Sequence, residues 1–216
     1  MNFRALLLPA IALVGASANA ASFYNDFSTL NNDYSNGWLL GTTSTAGGTV
    51  TPFADYTAVG GDGISRWSNL ATETALVPAA FKNSQVADSH GILLGEAALH
   101  GGIDGTIAVA SYKFATAGAY AITGAFGDGD SGSVDLYITS GANTYLSSLN
   151  VSGNQAFSFI LNATAGQTIE FAVGTAGAFG SDSTPLSANI DAVPEPASMA
   201  ALGLGGLALL RRRRKA

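Results

Sequence analysis

The sequence predicts an all-β protein: an antiparallel β-sandwich set between an N-terminal signal peptide and a short C-terminal transmembrane helix. Three observations carry this expectation. Several segments alternate apolar and polar residues with a period of two, the pattern of half-buried antiparallel strands. Turn signals such as Gly127-Asp128-Gly129-Asp130, Ser152-Gly153-Asn154 and Ala165-Gly166 separate those segments, at a spacing of about 10–15 residues. The composition is 47% hydrophobic, 9% aromatic and only 11% charged, with 27 glycines, which suits many short strands joined by turns rather than a disordered chain.

In chain order, the first element is the export signal. Met-Asn-Phe-Arg is followed by a mostly apolar run over residues 5–14 and by small residues ending in Ala18-Asn19-Ala20. A positive start, an apolar middle and a small-x-small site mark a secretory signal peptide cleaved after Ala20 by signal peptidase. The second element is the domain, residues 21–192. Its first half sets Phe23, Tyr24, Phe27, Tyr34, Trp38, Phe53, Tyr56 and Trp67 among Gly, Asn, Ser and Thr without regular alternation. Residues 81–102 are ambiguous, and 96–100 read as a helical turn or a loop.

Strands follow at residues 106–114, 119–126, 134–139, 155–161, 167–174 and 187–192. They place Tyr120, Ile122 and Phe126 on one face of the second, and Val134, Leu136 and Ile138 on one face of the third. Phe157, Phe159 and Leu161 share a face, as do Ile169, Phe171 and Val173, which leaves Glu170 outward and solvated. Gly124 interrupts the second strand. Phe114-Ala-Thr-Ala-Gly118 and Asn162-Ala-Thr-Ala-Gly166 are two uses of one turn chemistry.

The third element is the tail, residues 193–216. Val193-Pro194-Glu195-Pro196 precedes 14 uncharged, mostly apolar residues, and then Arg211, Arg212, Arg213, Arg214 and Lys215. As a helix the apolar stretch is about 21 Å long, short for a span of ~17–25 residues but extended by snorkelling arginines. The basic cluster stays cytoplasmic, so the domain faces the other side of the inner membrane.

This ending resembles the PEP-CTERM sorting signal of Gram-negative bacteria in motif, Gly-rich apolar helix and arginine run, over about 24 residues. The resemblance implies recognition by an exosortase, removal of the tail near Pro-Glu-Pro, an exopolysaccharide-producing cell and a cell-surface or biofilm-matrix destination. The two prolines hold the backbone extended and give no N–H, which presents it to a protease just outside the bilayer. From Leu99-His100-Gly101-Gly102 to Ile190 the chain resembles the jelly-roll domains common in PEP-CTERM proteins. The features that carry it are Gly118-x-Tyr120, the Gly/Asp loop before Val134, the segment AGQTIEFAVG over residues 165–174, and Asp182-Ser183-Thr184. Such domains are similar to carbohydrate-binding modules. The resemblance implies sugar binding and brings no catalytic residue.

Charge and composition exclude several chemistries. All 15 acidic residues lie between Asp26 and Glu195, where the basic residues are Arg66, Lys82 and Lys113 alone, so a phosphate backbone finds no basic patch. With no cysteine, disulfides, thiolate metal sites and Cys nucleophiles are absent. Gly129-Asp130-Ser131-Gly132 copies part of the active-site string of chymotrypsin-like proteases. His90 and His100 are the only histidines, neither sits in a matching motif, and the string reads as a turn.

No glutamate among Glu73, Glu96 and Glu170 stands out for glycoside hydrolysis. The expectation is therefore a non-catalytic protein without a cofactor, associated with exopolysaccharide. A lectin-like module with a defined glycan is the main alternative, and a secreted polysaccharide hydrolase the remoter one. Trp38, Tyr56 and Trp67 are the candidate sugar-stacking platforms. Asp128, Asp130 and Asp135 are the candidate ligands for calcium, which takes oxygens from closely spaced carboxylates in a loop.

Overall fold

The computed structural model describes residues 20–193 apart from 73 and 178. The signal peptide upstream of Ala20, Glu73, the tail motif from Pro194, Glu195 and Pro196 onward, the apolar stretch and Arg211, Arg212, Arg213 and Arg214 lie outside the described residues. Among the described residues no helix is long and apolar enough to cross a membrane.

The described residues form strands and turns. The strands are β1 (Ala21–Ser22), β2 (Trp38–Thr43), β3 (Thr51–Pro52), β4 (Asp55–Thr57), β5 (Ile64–Ser68), β6 (Ala79–Asn83), β7 (Asp88–Ser89) and β8 (Ile92–Leu93), then β9 (Ala97–His100), β10 (Ile107–Lys113), β11 (Gly118–Phe126), β12 (Val134–Ser140), β13 (Asn143–Val151), β14 (Gln155–Ala163), β15 (Thr168–Thr175) and β16 (Thr184–Ala192). Every pairing is antiparallel. One sheet runs β14-β11-β16-β9-β6-β5-β4, with β1 added to β16. The other runs β13-β12-β15-β10-β2-β3.

The last eight strands give the architecture. β9, β16, β11 and β14 are neighbours in the first sheet, and β10, β15, β12 and β13 in the second. The chain changes sheet at each step except at the β12–β13 hairpin and at no other. This is the jelly-roll order, two interleaved Greek keys. The earlier strands widen it: β2 and β3 continue the smaller sheet beyond β10, and β6, β5 and β4 continue the larger one beyond β9.

Period-two alternation sends one side of each long strand into the space between the sheets. There Phe23, Trp38, Phe53, Phe114, Ile122, Phe126, Leu136, Ile138, Ile169 and Phe171 make one core. The outward faces are partly covered as well. Ile64, Val77, Ala79, Phe81, Ile92 and Ala98 cluster with Phe179 outside the larger sheet. Ile107, Val109 and Ala172 cluster with Ala46, Val50 and Tyr137 outside the smaller one.

The six expected strands are present as β10, β11, β12, β14, β15 and β16, with ends shifted by up to three residues. Three expectations are corrected. Residues 97–100 are strand β9, paired on both edges, where a helical turn or loop was expected; all four residues are buried, so no alternation marks them. β13 is an additional edge strand. Its residues are mostly exposed on both faces and its register against β12 shifts twice, which erases the apolar signal. Glu170 is half-buried rather than solvated; Thr139 Oγ1 donates to its Oε2 at 3.4 Å, and burial raises its pKa.

The two ends of the sandwich differ. At one end Ala21 pairs with Ile190, and the N–H of Val193 donates to Ala119 O at 2.8 Å. The two like-composed turns meet here: Phe114 N–H donates to Gln167 O, and Gly166 N–H donates to Phe114 O. Both ends of the described segment are thus tied into the larger sheet beside one core, the arrangement expected of a self-contained domain. The loops β9–β10, β11–β12, β13–β14 and β15–β16 all lie at the opposite end.

Candidate functional site

Four loops distant in sequence converge at that opposite end. The segments are residues 75–77, 90, 130 and 179–183, joined by Phe81 and His100 from β6 and β9. Together they line a cleft of about 290 Å³, near the lower end of the ~300–1,000 Å³ range of small-molecule sites. Its walls mix apolar groups (Leu76, Val77, Phe81, Phe179) with His90, His100, Asp130, Ser181 and Ser183.

Backbone conformation sets this cleft apart. Ala75, Leu76, His90 and Ser181 have φ of 52°, 72°, 54° and 63°. Among L-residues only Asn, Asp and His adopt such values with any frequency, and the cost is ~1–3 kcal/mol each for others such as Ala75, Leu76 and Ser181. All four line the cleft. Such strain persists only where surrounding structure holds it, and it concentrates at ligand clamps and active sites.

Glycine allows the loops to close on one another. A Cβ at Gly91 (φ +72°) would stand 2.2 Å from Gly129 O, and one at Gly129 2.3 Å from Ser183 O. A Cβ at Gly132 would stand 2.3 Å from both Ser181 O and Asp182 Oδ1. The backbone pairs across the gap: Asp130 N–H donates to Ser183 O at 3.3 Å, and Gly132 N–H to Ser181 O at 2.8 Å.

The titratable groups are shifted by burial. His100 is buried, and that burial lowers its pKa; its Nδ1 lies 2.7 Å from Gly101 O, and the charge of Asp130 partly offsets the effect. Asp182 moves the other way, up to about 6, through burial first and then the nearby charge of Asp130. His90 is exposed, with Nε2 3.9 Å from Asp62 Oδ2.

The His100 shift has a stability consequence. The folded state resists protonation while the unfolded chain takes a proton near pH 6.5, so the stability given by neutral His100 is full above that pH and declines below it. Denaturant titrations of wild type and His100→Gln at pH 7 and pH 5 check this. Wild type should lose up to about 1 kcal/mol per pH unit more than the variant; equal losses would contradict the buried neutral imidazole.

The residues singled out by sequence are distributed as follows. Trp38 is core: its ring packs against Phe23, Tyr112 and Phe171 at centroid distances of 5.2, 5.2 and 6.0 Å. Trp67 is core too, its Nε1–H donating to Ser28 O at 2.7 Å. Tyr56 lies half-buried on Trp67. The platform assignment for the two tryptophans is therefore corrected, because both are buried in the core, at 2% and 6% exposure. Asp128 and Asp130 share a small cavity beside the cleft with Asp182, whereas Asp135 stays on β12 and accepts a hydrogen bond from Asn150 N–H at 2.8 Å.

The expected calcium trio is thus not assembled. Among the described residues no group of three His, Asp or Glu side chains is placed to hold a metal ion. Ser131 is exposed in its turn, outside the cleft lining, and no hydrogen bond joins it to either histidine.

The cleft residues Leu76, Phe179 and Ser181 carried no sequence signal. Leu76 stands in the irregular first half and Phe179 and Ser181 between the last two strands, and nothing in their local sequence tells what they face.

No curated protein matches the chain. Among solved structures, a family 35 carbohydrate-binding module from Clostridium thermocellum is 15% identical over 41% of this chain and 72% of its own, with a TM-score of 0.30. The family 35 module from Cellvibrio japonicus is 14% identical over 73% and 95%, with a TM-score of 0.28. A β-glucosidase from Kluyveromyces marxianus is 11% identical over 76% of this chain and 17% of its own, at 0.32. The jelly-roll assignment stands on the strand order alone. A family model for the PEP-CTERM protein-sorting motif matches residues 192–215, beginning on the last residue of β16, so the chain carries a PEP-CTERM sorting motif at its C-terminus.

Proposed function

We propose that this protein is an exported, non-catalytic module that an exosortase delivers to the cell surface or extracellular matrix, where its cleft holds a sugar residue of the exopolysaccharide. The observation that carries this reading is the course of β16. That one strand starts at Thr184, beside the cleft, and ends at Ala192, where the sorting motif begins. Nine residues at ~3.3 Å each put the cleft about 30 Å from the motif. A tail held in the inner membrane leaves the cleft facing outward, and removal of the tail leaves the cleft untouched.

The cleft suits a small ring with polar edges. Phe179 and the exposed His90 offer flat faces, while Asp130, Ser181 and Ser183 offer hydrogen bonds. Asp130 is the one carboxylate lining it among the described residues, whereas glycoside hydrolysis uses a facing pair. That difference favours binding over turnover.

Sorting is tested by expressing the chain without residues 193–216 in the producing cell. The truncated protein is expected to be exported and released, losing surface retention and the size change caused by tail removal. A truncated protein distributed and processed like the full chain would refute exosortase sorting.

A further inference from the structure

Beside the cleft, Asp182 is 2% exposed, and its Oδ2 is buried without a hydrogen-bond partner. A buried carboxylate oxygen with no donor is costly, and proteins relieve it by pairing or by metal coordination. The space it borders is a cavity of about 10 Å³, roughly the size of one water or one ion. No lysine, arginine or histidine lines that cavity.

Oxygen surrounds it instead. Asp128, Asp130, Ser181, Ser183 and Thr184 are in its wall. The carbonyls of Ser181 and Ser183 each accept one backbone N–H there and keep a second lone pair. A water would give Asp182 a donor but would leave its repulsion with Asp130 in place.

We propose that the loops over residues 127–132 and 181–184 bind a calcium ion, with Asp182 and Asp130 as anionic ligands and loop carbonyls and water completing the shell. Hard oxygen donors without imidazole or thiolate suit this class of cation, and irregular loop geometry suits Ca²⁺ better than the strict octahedron of Mg²⁺. Two carboxylates rather than three place the affinity in the range of extracellular modules, Kd about 10⁻⁴–10⁻³ M. The ion ties the β11–β12 loop to the β15–β16 loop. Because Asp130, Ser181 and Ser183 line both spaces, it also holds one wall of the cleft. The site stands independently of any sugar ligand.

The test is the melting temperature and Ca²⁺ titration calorimetry of residues 20–193 in EDTA, in about 5 mM CaCl₂ and in about 5 mM MgCl₂. Wild type is expected to melt about 3–8 °C higher in calcium than in EDTA, with a smaller rise in magnesium. Asp182→Asn removes the shift and melts in EDTA at or above the wild-type temperature, which separates lost binding from lost folding. If that variant fails to fold, the wild-type isotherm decides. Wild-type melting and heats that ignore calcium up to about 10 mM, an Asp182→Asn variant that keeps the shift, or a magnesium response as large as calcium's would overturn the proposal.

Discussion

Gly124→Ala is expected to prevent stable folding. Gly124 sits in the middle of β11, between Phe157 on β14 and Ala188 on β16. A Cβ there would stand 1.7 Å from Ser187 O and 2.7 Å from Phe157 Cζ. Ser187 O belongs to a strand fixed by seven register pairs with β11, so the backbone cannot retreat without breaking the sheet. Ordinary overpacking costs ~1–3 kcal/mol, and a backbone clash at a sheet centre exceeds that; a loss of about 4 kcal/mol or more is expected. Urea denaturation followed by circular dichroism measures it. Gly61→Ala is the control, since a Cβ there meets nothing within 4 Å, and it should stay within about 0.5 kcal/mol of wild type. A folded Gly124→Ala within about 1 kcal/mol of wild type would contradict the close approach of β11 and β16.

Trp38→Ala should cost about 3–5 kcal/mol, the usual penalty for deleting a large buried aromatic. Trp38 is 2% exposed. Its neighbours are fixed rings on β1–β2, β10 and β15 and cannot collapse into the space. Trp38→Phe discriminates between a core role and a sugar platform. The indole Nε1 is buried without a hydrogen-bond partner, so replacing it with a smaller apolar ring removes an unsatisfied donor. That variant should lie within about 1.5 kcal/mol of wild type. Both variants are read by the same urea titration. A Trp38→Ala protein of wild-type stability would mean that the ring is not in the core.

The reach of the sequence follows from burial. Strands with one covered face, β11, β12, β14 and β15, show their alternation plainly, and their inward residues are the ones expected. β9 is covered on both faces and β13 on neither, so both lack the period-two signature. The tryptophans misled because a flat aromatic among Gly, Asn and Ser reads alike whether it lines a surface or fills a core; only the sheet order shows that Phe23, Tyr112 and Phe171 enclose Trp38.

The candidate site was legible only in fragments. The Gly/Asp loop at 127–132 drew attention to Asp128 and Asp130. Their true companion, Asp182, is about fifty residues away and arrives through the jelly-roll crossing of β11–β12 and β15–β16, not through local spacing. The sorting tail, by contrast, was fully readable, because its information lies in the order of a short contiguous motif rather than in a fold.

Whether the cleft binds matrix polysaccharide is decided by equilibrium binding of residues 20–193 to the producer's own exopolysaccharide, with wild type beside Phe179→Ala and His90→Ala. Both substituted side chains reach the cleft from loops, His90 exposed and Phe179 packed on the apolar cluster outside the larger sheet. Saturable wild-type binding is expected, weakened about tenfold or more in each variant, with His90→Ala melting close to wild type and Phe179→Ala lower but still folded, because Phe179 also packs on the outer apolar cluster. Absence of saturable wild-type binding, or binding that both variants keep in full, would contradict binding at the cleft.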